Sequence, residues 1–188
     1  MIKNIIKKSQ IRFFWITLER FPNLFRPSSK PYLSGDTLRN FSDHIFDESK
    51  TIEPKNIKDK DIVFVNTDVI DIFFDTVFQE IKNDFILITH NSDVNIKSSH
   101  LEKIDSRVIH WFAQNLSIKN NEKISLIPIG LENLRRLKHG RKKWFSDPKK
   151  EKTKFILSSF NEFTNFEKRG KINSIFKDNS LIDIKKYE

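Results

Sequence analysis

Short apolar runs alternate along this chain with segments of helical periodicity. Five runs are continuous, short and rich in β-branched and aromatic residues, which is typical of buried strands. They cover residues 61–66, 85–89, 107–112, 124–129 and 154–160. Because helical patterns separate the strands, the chain predicts an α/β fold: a Rossmann-like, mostly parallel sheet with helices on both faces.

The helical segments have recognisable starts. Asp68 is a candidate N-cap for a helix that reaches Ile81, since apolar residues recur there at helical spacing. A shorter helix is expected over 99–104. Asn165 is predicted to cap a helix that continues to Phe176. Residues 2–20 also carry a helical pattern.

Composition excludes several classes of protein. The 188 residues include no cysteine, which excludes disulfides, thiol nucleophiles and sulfur-based zinc sites. No apolar run approaches the roughly 18–20 residues of a membrane span, and the N-terminus lacks the apolar core of a signal peptide. A cytoplasmic protein is therefore expected.

Positive charge is concentrated in one segment. From Arg135 to Lys154 there are ten Lys or Arg and two acidic residues, whereas the whole chain carries a net charge of +9. Such a segment is compatible with an exposed linker, a contact with anionic membrane or a nucleic-acid patch. Nucleic-acid binding is not expected, because no recognition motif accompanies the charge.

The candidate chemistry follows the predicted strands. In parallel sheets ligands bind outside the carboxyl ends of the strands, and His90, Asn91, Ser92 and Asp93 follow the strand at 85–89. His90 or Asp93 could act as a general base. Alternatively, the loop only satisfies turn and cap hydrogen bonds.

Two further clusters are candidates. Within 34–39, Asp36 could cap a helix and Arg39 could clamp a phosphate or carboxylate, or Arg39 could be merely solvated. Within 130–133, Glu132 offers a carboxylate, or the segment is only a turn between a strand and a helix.

Several common functional motifs are missing from the sequence: the phosphate-binding loop, the dinucleotide-binding motif, the zinc-protease motif and the serine-hydrolase motif. The five histidines show no ligand spacing, so no metal site is expected.

Four phrases in order carry a resemblance to a known family. They are KPYLSGDTLR at 30–39, ITHNSD at 88–93, WFAQN at 111–115 and IPIGLEN at 127–133. Together the series resembles bacterial exostosin-like glycosyltransferases from surface-polysaccharide gene clusters, over about Lys30 to Arg169. The resemblance implies the first half of a two-domain, twin-Rossmann (GT-B) enzyme. Residues 1–134 would form an acceptor-type domain, 135–153 a basic linker, and 154–188 the beginning of a donor-type domain.

The resemblance also implies roles for individual residues. Asp93 or His90 would be the base, and the side chains expected to bind substrate are Asp36, Arg39, Asn91, Gln114, Asn115 and Glu132. Ser159 and Arg169 would meet the donor diphosphate. The family's later donor-binding stretch has no counterpart in this chain.

The sequence thus predicts a metal-independent glycosyltransferase, or its N-terminal portion, without a bound cofactor. A nucleotide sugar would be the co-substrate, and a surface polysaccharide or lipid-linked glycan the acceptor. The basic segment would keep the enzyme at the inner face of the membrane. The alternative is a non-catalytic module that binds a carbohydrate or a partner and lacks the donor half.

Overall fold

The computed structural model describes residues 26–119, 121–136 and 155–184. The chain divides into two compact units, 1–142 and 143–188. The helix predicted over 2–20 and most of the basic segment lie outside the described residues.

The first unit is built on a five-stranded parallel sheet. Its elements are α1 (Gly35–Phe41), β1 (His44–Phe46), β2 (Asp61–Asn66), α2 (Ile70–Thr76), β3 (Phe85–His90), α3 (Ser98–Leu101), β4 (Val108–Ala113) and β5 (Ile124–Leu126). Short 3-10 helices occur at Pro54–Asn56, Thr67–Val69 and Phe78–Glu80. The strands lie in the order β1-β2-β3-β4-β5, all parallel. The prediction of a Rossmann-like, mostly parallel α/β fold is confirmed.

An aromatic core covers one face of this sheet. Phe74 of α2 meets Trp111 of β4 edge to face, with ring centroids 5.9 Å apart, and Phe78 at 5.5 Å. The indole N–H of Trp111 donates to Thr89 Oγ1 at 2.9 Å, so its polar atom is satisfied inside the core. Leu101 of α3 packs on the same cluster.

A bulge in β4 explains why Val108 and Trp111, which are three positions apart on the same strand, both point into this core. Phe85 pairs with Val108, but Ile86 pairs with His110, which leaves Ile109 as an extra residue. Val108 and Trp111 are therefore both buried, while Ile109 is exposed. An unbroken strand would place two residues three apart on opposite faces.

Several element boundaries differ from the sequence prediction. Strand β1 was not predicted, and β5 ends at Leu126 rather than at residue 129. The predicted helix to Ile81 stops at Thr76 and continues only as a 3-10 turn. Asp68 is not the N-cap, because the Asn66 side chain accepts from the Asp68 N–H at 3.0 Å.

The second unit contains β6 (Ile156–Ser158), a 3-10 turn (Glu162–Asn165), α4 (Phe166–Phe176) and β7 (Ile182–Ile184), with the two strands parallel. Asn165 caps α4 as predicted, since its side chain accepts from the Lys168 N–H at 3.3 Å. That this unit begins a second Rossmann-like domain stays a prediction, as do the domain limits at 134 and 154. Among the described residues no helix is long and apolar enough to cross a membrane.

Candidate functional site

A cleft of about 830 Å³ opens at the carboxyl ends of the strands of the first unit. Its wall is formed by Asp68 after β2, residues 90–94 after β3, Gln114 after β4 and residues 129–133 after β5. Gly35, Arg135 and Arg136 complete the lining. This is the edge at which open parallel sheets bind their ligands.

Asn91 holds three segments of the cleft wall together. Its backbone has φ +65°, a left-handed conformation that Asn tolerates. Its Nδ2 donates to Asp36 Oδ1 at 3.1 Å, and its Oδ1 accepts from Asn133 Nδ2 at 2.8 Å. Asn133 Oδ1 in turn accepts from the Asp36 N–H at 2.7 Å. The start of α1, the loop after β3 and the segment after β5 are thereby fixed to one another.

Two glycines permit this close approach. A Cβ on Gly35 would lie 1.8 Å from Asn91 Oδ1, so any side chain there would displace the asparagine. Gly130 has φ +72°, and a Cβ on it would lie 2.4 Å from the Leu33 carbonyl oxygen. The Leu131 N–H donates to that same oxygen at 2.8 Å.

Asp36 lies behind the wall of the cleft and is fully buried. Arg135 Nε is 3.1 Å from its Oδ2 and Arg26 Nη1 is 4.0 Å from its Oδ1. Burial raises the pKa of Asp36, although Arg135 and Arg26 act in the opposite direction. The N-cap of α1 is Ser34, whose Oγ accepts from the Thr37 N–H at 3.2 Å, so the predicted capping role of Asp36 is wrong.

Arg39 is buried and does not line the cleft. Its Nε lies 2.6 Å from Asp47 Oδ2, and its Nη2 donates to Ser49 Oγ at 3.3 Å. Burial alone would raise the pKa of Asp47, but hydrogen bonds from Arg39 and Ser49 outweigh it and lower that pKa. Arg39 is therefore neither solvated nor placed to clamp a ligand in the cleft.

His90 has both ring nitrogens engaged. Its Nδ1 accepts from the Asn91 N–H at 2.8 Å, and its Nε2 lies 3.4 Å from the Pro128 carbonyl oxygen. Burial lowers the pKa of His90, despite its hydrogen bonds to Pro128 and Asn91. A neutral ring protonated on Nε2 satisfies both contacts. This geometry favours a structural role for His90 over that of a general base.

Asp93 and Glu132 present exposed carboxylates to the cleft. Glu132 Oε1 accepts from the Asn133 N–H at 2.8 Å. Gln114 also lines the cleft, where its Oε1 accepts from the Asn91 N–H at 3.0 Å. Asn115 lies outside the lining, with φ +54°, and its Nδ2 donates to the Ser92 carbonyl at 2.9 Å.

Among the polar lining residues, the sequence prediction gave no individual site role to Asp68, Asn133, Arg135 or Arg136. Asp68 accepts a hydrogen bond from Ser92 Oγ. It lies two residues after the end of β2, at the same edge of the sheet where His90 ends β3. Applying the carboxyl-end rule to every strand would have found it. Arg135 and Arg136 were assigned to the basic segment, and the bonding of Asn133 could not be inferred from its position.

Arg135 is the first residue of the predicted basic linker. Its side chain is buried and ion-paired with Asp36, so this residue does not face solvent, while the predicted linker bounds stay a prediction. Ser159 and Arg169 belong to the second unit. Arg169 Nη1 donates there to the Asn161 carbonyl at 3.2 Å, and the guanidinium lies 5.4 Å from the Phe160 ring centroid. Their contact with a donor diphosphate stays a prediction.

Within the described ranges, no three His, Asp or Glu side chains gather in an arrangement that could hold a metal ion. No protein-family model matches the sequence. Nor does any curated protein match it.

Proposed function

We propose that the cleft of the first unit binds a carbohydrate acceptor and that this chain is a glycosyltransferase or the N-terminal portion of one. The observation that carries this proposal is the lining of the cleft by amides and exposed carboxylates at the carboxyl ends of β2, β3 and β4. The resemblance of the four sequence phrases to exostosin-like enzymes points in the same direction.

Amide and carboxylate groups suit sugar hydroxyls. A hydroxyl both donates and accepts, a carboxylate accepts at two oxygens, and an amide does both. Asn133 is already held by bonds to Asn91 and Asp36, so little side-chain entropy would be lost when a ligand binds beside it.

Asp93 is the proposed general base. Its carboxylate is exposed in the cleft, whereas His90 is buried with both nitrogens occupied. Asp93 would take the proton of an acceptor hydroxyl while that oxygen forms the new glycosidic bond. The bond between the anomeric carbon and the diphosphate would break, and the nucleoside diphosphate would leave with the bonding electron pair.

Transfer assays on the full chain test this proposal. The chain is incubated with a panel of nucleotide sugars and oligosaccharide acceptors, and products are identified by mass spectrometry. We expect Asp93→Asn to reduce transfer by about 10²- to 10⁴-fold, the usual contribution of a general base. Asp105→Asn is the matched control, because Asp105 is an exposed carboxylate outside the cleft.

Full activity in Asp93→Asn would exclude Asp93 as the base. Failure of every donor to transfer, together with failure of every oligosaccharide to bind, would contradict the proposed function itself.

One observation favours the alternative of a non-catalytic carbohydrate- or partner-binding module. The side chains of His90, Asn91 and Ser92 are all engaged in bonds within the protein. For a module of this kind, saturation-transfer NMR would detect oligosaccharide binding without any transfer. Asp93→Asn would then change only the affinity.

The proposed acceptor is a surface polysaccharide or lipid-linked glycan, and the proposed location is the cytoplasm at the inner membrane face. The basic segment would contact anionic lipid there. Because Arg135 is buried against Asp36 and Arg136 lines the cleft, the lipid-facing residues would begin after Arg136.

A further inference from the structure

The cleft is lined by both acidic and basic side chains. Asp68 and the exposed Asp93 supply carboxylates, and Asp68 accepts a hydrogen bond from Ser92 Oγ. Arg135 and Arg136 lie in the wall formed by the segment after β5. Neutral hydroxyls alone do not require two guanidinium groups in the lining.

A buried carboxylate holds one of these arginines in place. Asp36 is fully buried, and its Oδ2 is 3.1 Å from Arg135 Nε. Asp36 is itself fixed by Asn91 Nδ2 at 3.1 Å and, through its backbone N–H, by Asn133 at 2.7 Å. This contact is an ion pair without hydrogen-bond geometry, so it keeps the Arg135 guanidinium beside the buried carboxylate, and a guanidinium is suited to contact phosphate oxygens.

Arg136 supplies a second positive charge on the same wall. Its backbone N–H donates to the Asn133 carbonyl at 2.8 Å, which closes a turn over residues 133–136. Arg136 is exposed, whereas Arg135 is buried. The pair thus combines one buried cation, ion-paired with Asp36, and one exposed cation next to it in the chain.

We propose that Arg135 and Arg136 bind a phosphate or diphosphate ester of the substrate, and that Asp36 is the positioning residue for Arg135. This inference rests on the proposed function and adds that the ligand of the cleft is a phosphorylated sugar compound. The diphosphate could belong to a nucleotide sugar or to a lipid-linked acceptor, which carry the same group.

Calorimetric titration of the full chain with pyrophosphate tests the inference. We expect Arg136→Gln to weaken binding by about tenfold or more, since a charge-assisted contact is lost. Two controls remove the same charge elsewhere. Lys55→Gln does so at an exposed site outside the cleft, and Lys149→Gln does so in the basic segment. Both controls should bind pyrophosphate like the wild type.

A second measurement isolates the role of Asp36, because Arg135 variants risk unfolding. In the wild type, the Arg135 Nε–H resonance should shift as pyrophosphate is added. In Asp36→Asn we expect that shift to be lost and the affinity to fall, while the other amide resonances of the folded unit are retained. A merely structural Asp36 would leave the titration shift unchanged.

The outcomes are distinct. No pyrophosphate binding, or equal weakening in Arg136→Gln and Lys149→Gln, would overturn the inference. If oligosaccharides still bind in either case, the proposed function survives without it. Where pyrophosphate does bind as expected, competition by UDP or GDP assigns the site to a nucleotide, and competition by a short-chain polyprenyl diphosphate assigns it to a lipid-linked acceptor.

Discussion

Replacing Gly35 with alanine should destabilise the first unit, although alanine is the better helix former. Gly35 is the first residue of α1, and alanine in a helix is favoured over glycine by up to about 1 kcal/mol. Against this, the new Cβ would lie 1.8 Å from Asn91 Oδ1 and 2.5 Å from His90 Nδ1. A lower free energy of unfolding in Gly35→Ala would therefore show that the tertiary contact outweighs helix propensity, and a higher one would show the reverse.

The magnitude follows from the bonds that Asn91 would lose on moving away. Its bond to the Asp36 carboxylate is worth about 1.5–3 kcal/mol and its bond to Asn133 about 1 kcal/mol. After the gain in helix propensity is subtracted, we expect a net loss of about 2 kcal/mol in the free energy of unfolding. That is a large part of the stability of an ordinary domain.

Urea titration followed by tryptophan fluorescence measures this loss. The chain has three tryptophans, so a Trp15→Phe and Trp144→Phe background leaves Trp111, in the core of the first unit, as the reporter. The urea midpoint should fall while the slope stays constant.

A double-mutant cycle attributes the effect to the contact. Asn91→Gly keeps the left-handed backbone without strain and removes the nearer of the two clashing side chains, while the contact at 2.5 Å from His90 Nδ1 remains. In that background we expect Gly35→Ala to cost less than in the wild type, with a coupling energy of about 2 kcal/mol from the lost Asn91 bonds. If Gly35→Ala destabilised both backgrounds equally, or neither, the argument from steric contact would be refuted.

Two further predictions concern buried charge. His90 has a lowered pKa in the folded state, so below about pH 6.5 the unfolded chain binds more protons than the folded chain, and stability falls as the pH falls. Urea titration at several pH values between about 7 and 5 should therefore show a smaller loss of stability in His90→Asn than in the wild type. Asp47→Ala should cost about 3–5 kcal/mol in the same titration, because it leaves the buried Arg26 and Arg39 without this carboxylate. The matched surface change, Asp105→Ala, should cost less than about 1 kcal/mol, and equal losses would contradict the buried-pair explanation.

The sequence by itself determined the fold class and the edge of the sheet that carries the polar residues. Runs such as 61–66 and 85–89 are continuous and apolar because both faces of a parallel strand are buried, so their pattern depends little on distant contacts. The cap at Asn165 was equally local, since the side chain bonds to the backbone only three residues ahead.

Only the tertiary structure decided which polar residues face the cleft and which support it from behind. Asp36 and Arg39 share one helical segment, yet Asp36 pairs with Arg135, which is 99 positions later in the chain, and Arg39 pairs with Asp47. Contacts between residues so far apart in sequence leave no periodicity to read. His90 looked available as a base, whereas in the folded chain its Nε2 lies against the carbonyl of the distant Pro128 and its Nδ1 accepts from the adjacent Asn91 N–H. Arg135 looked like part of an exposed basic segment, whereas it is buried against a carboxylate.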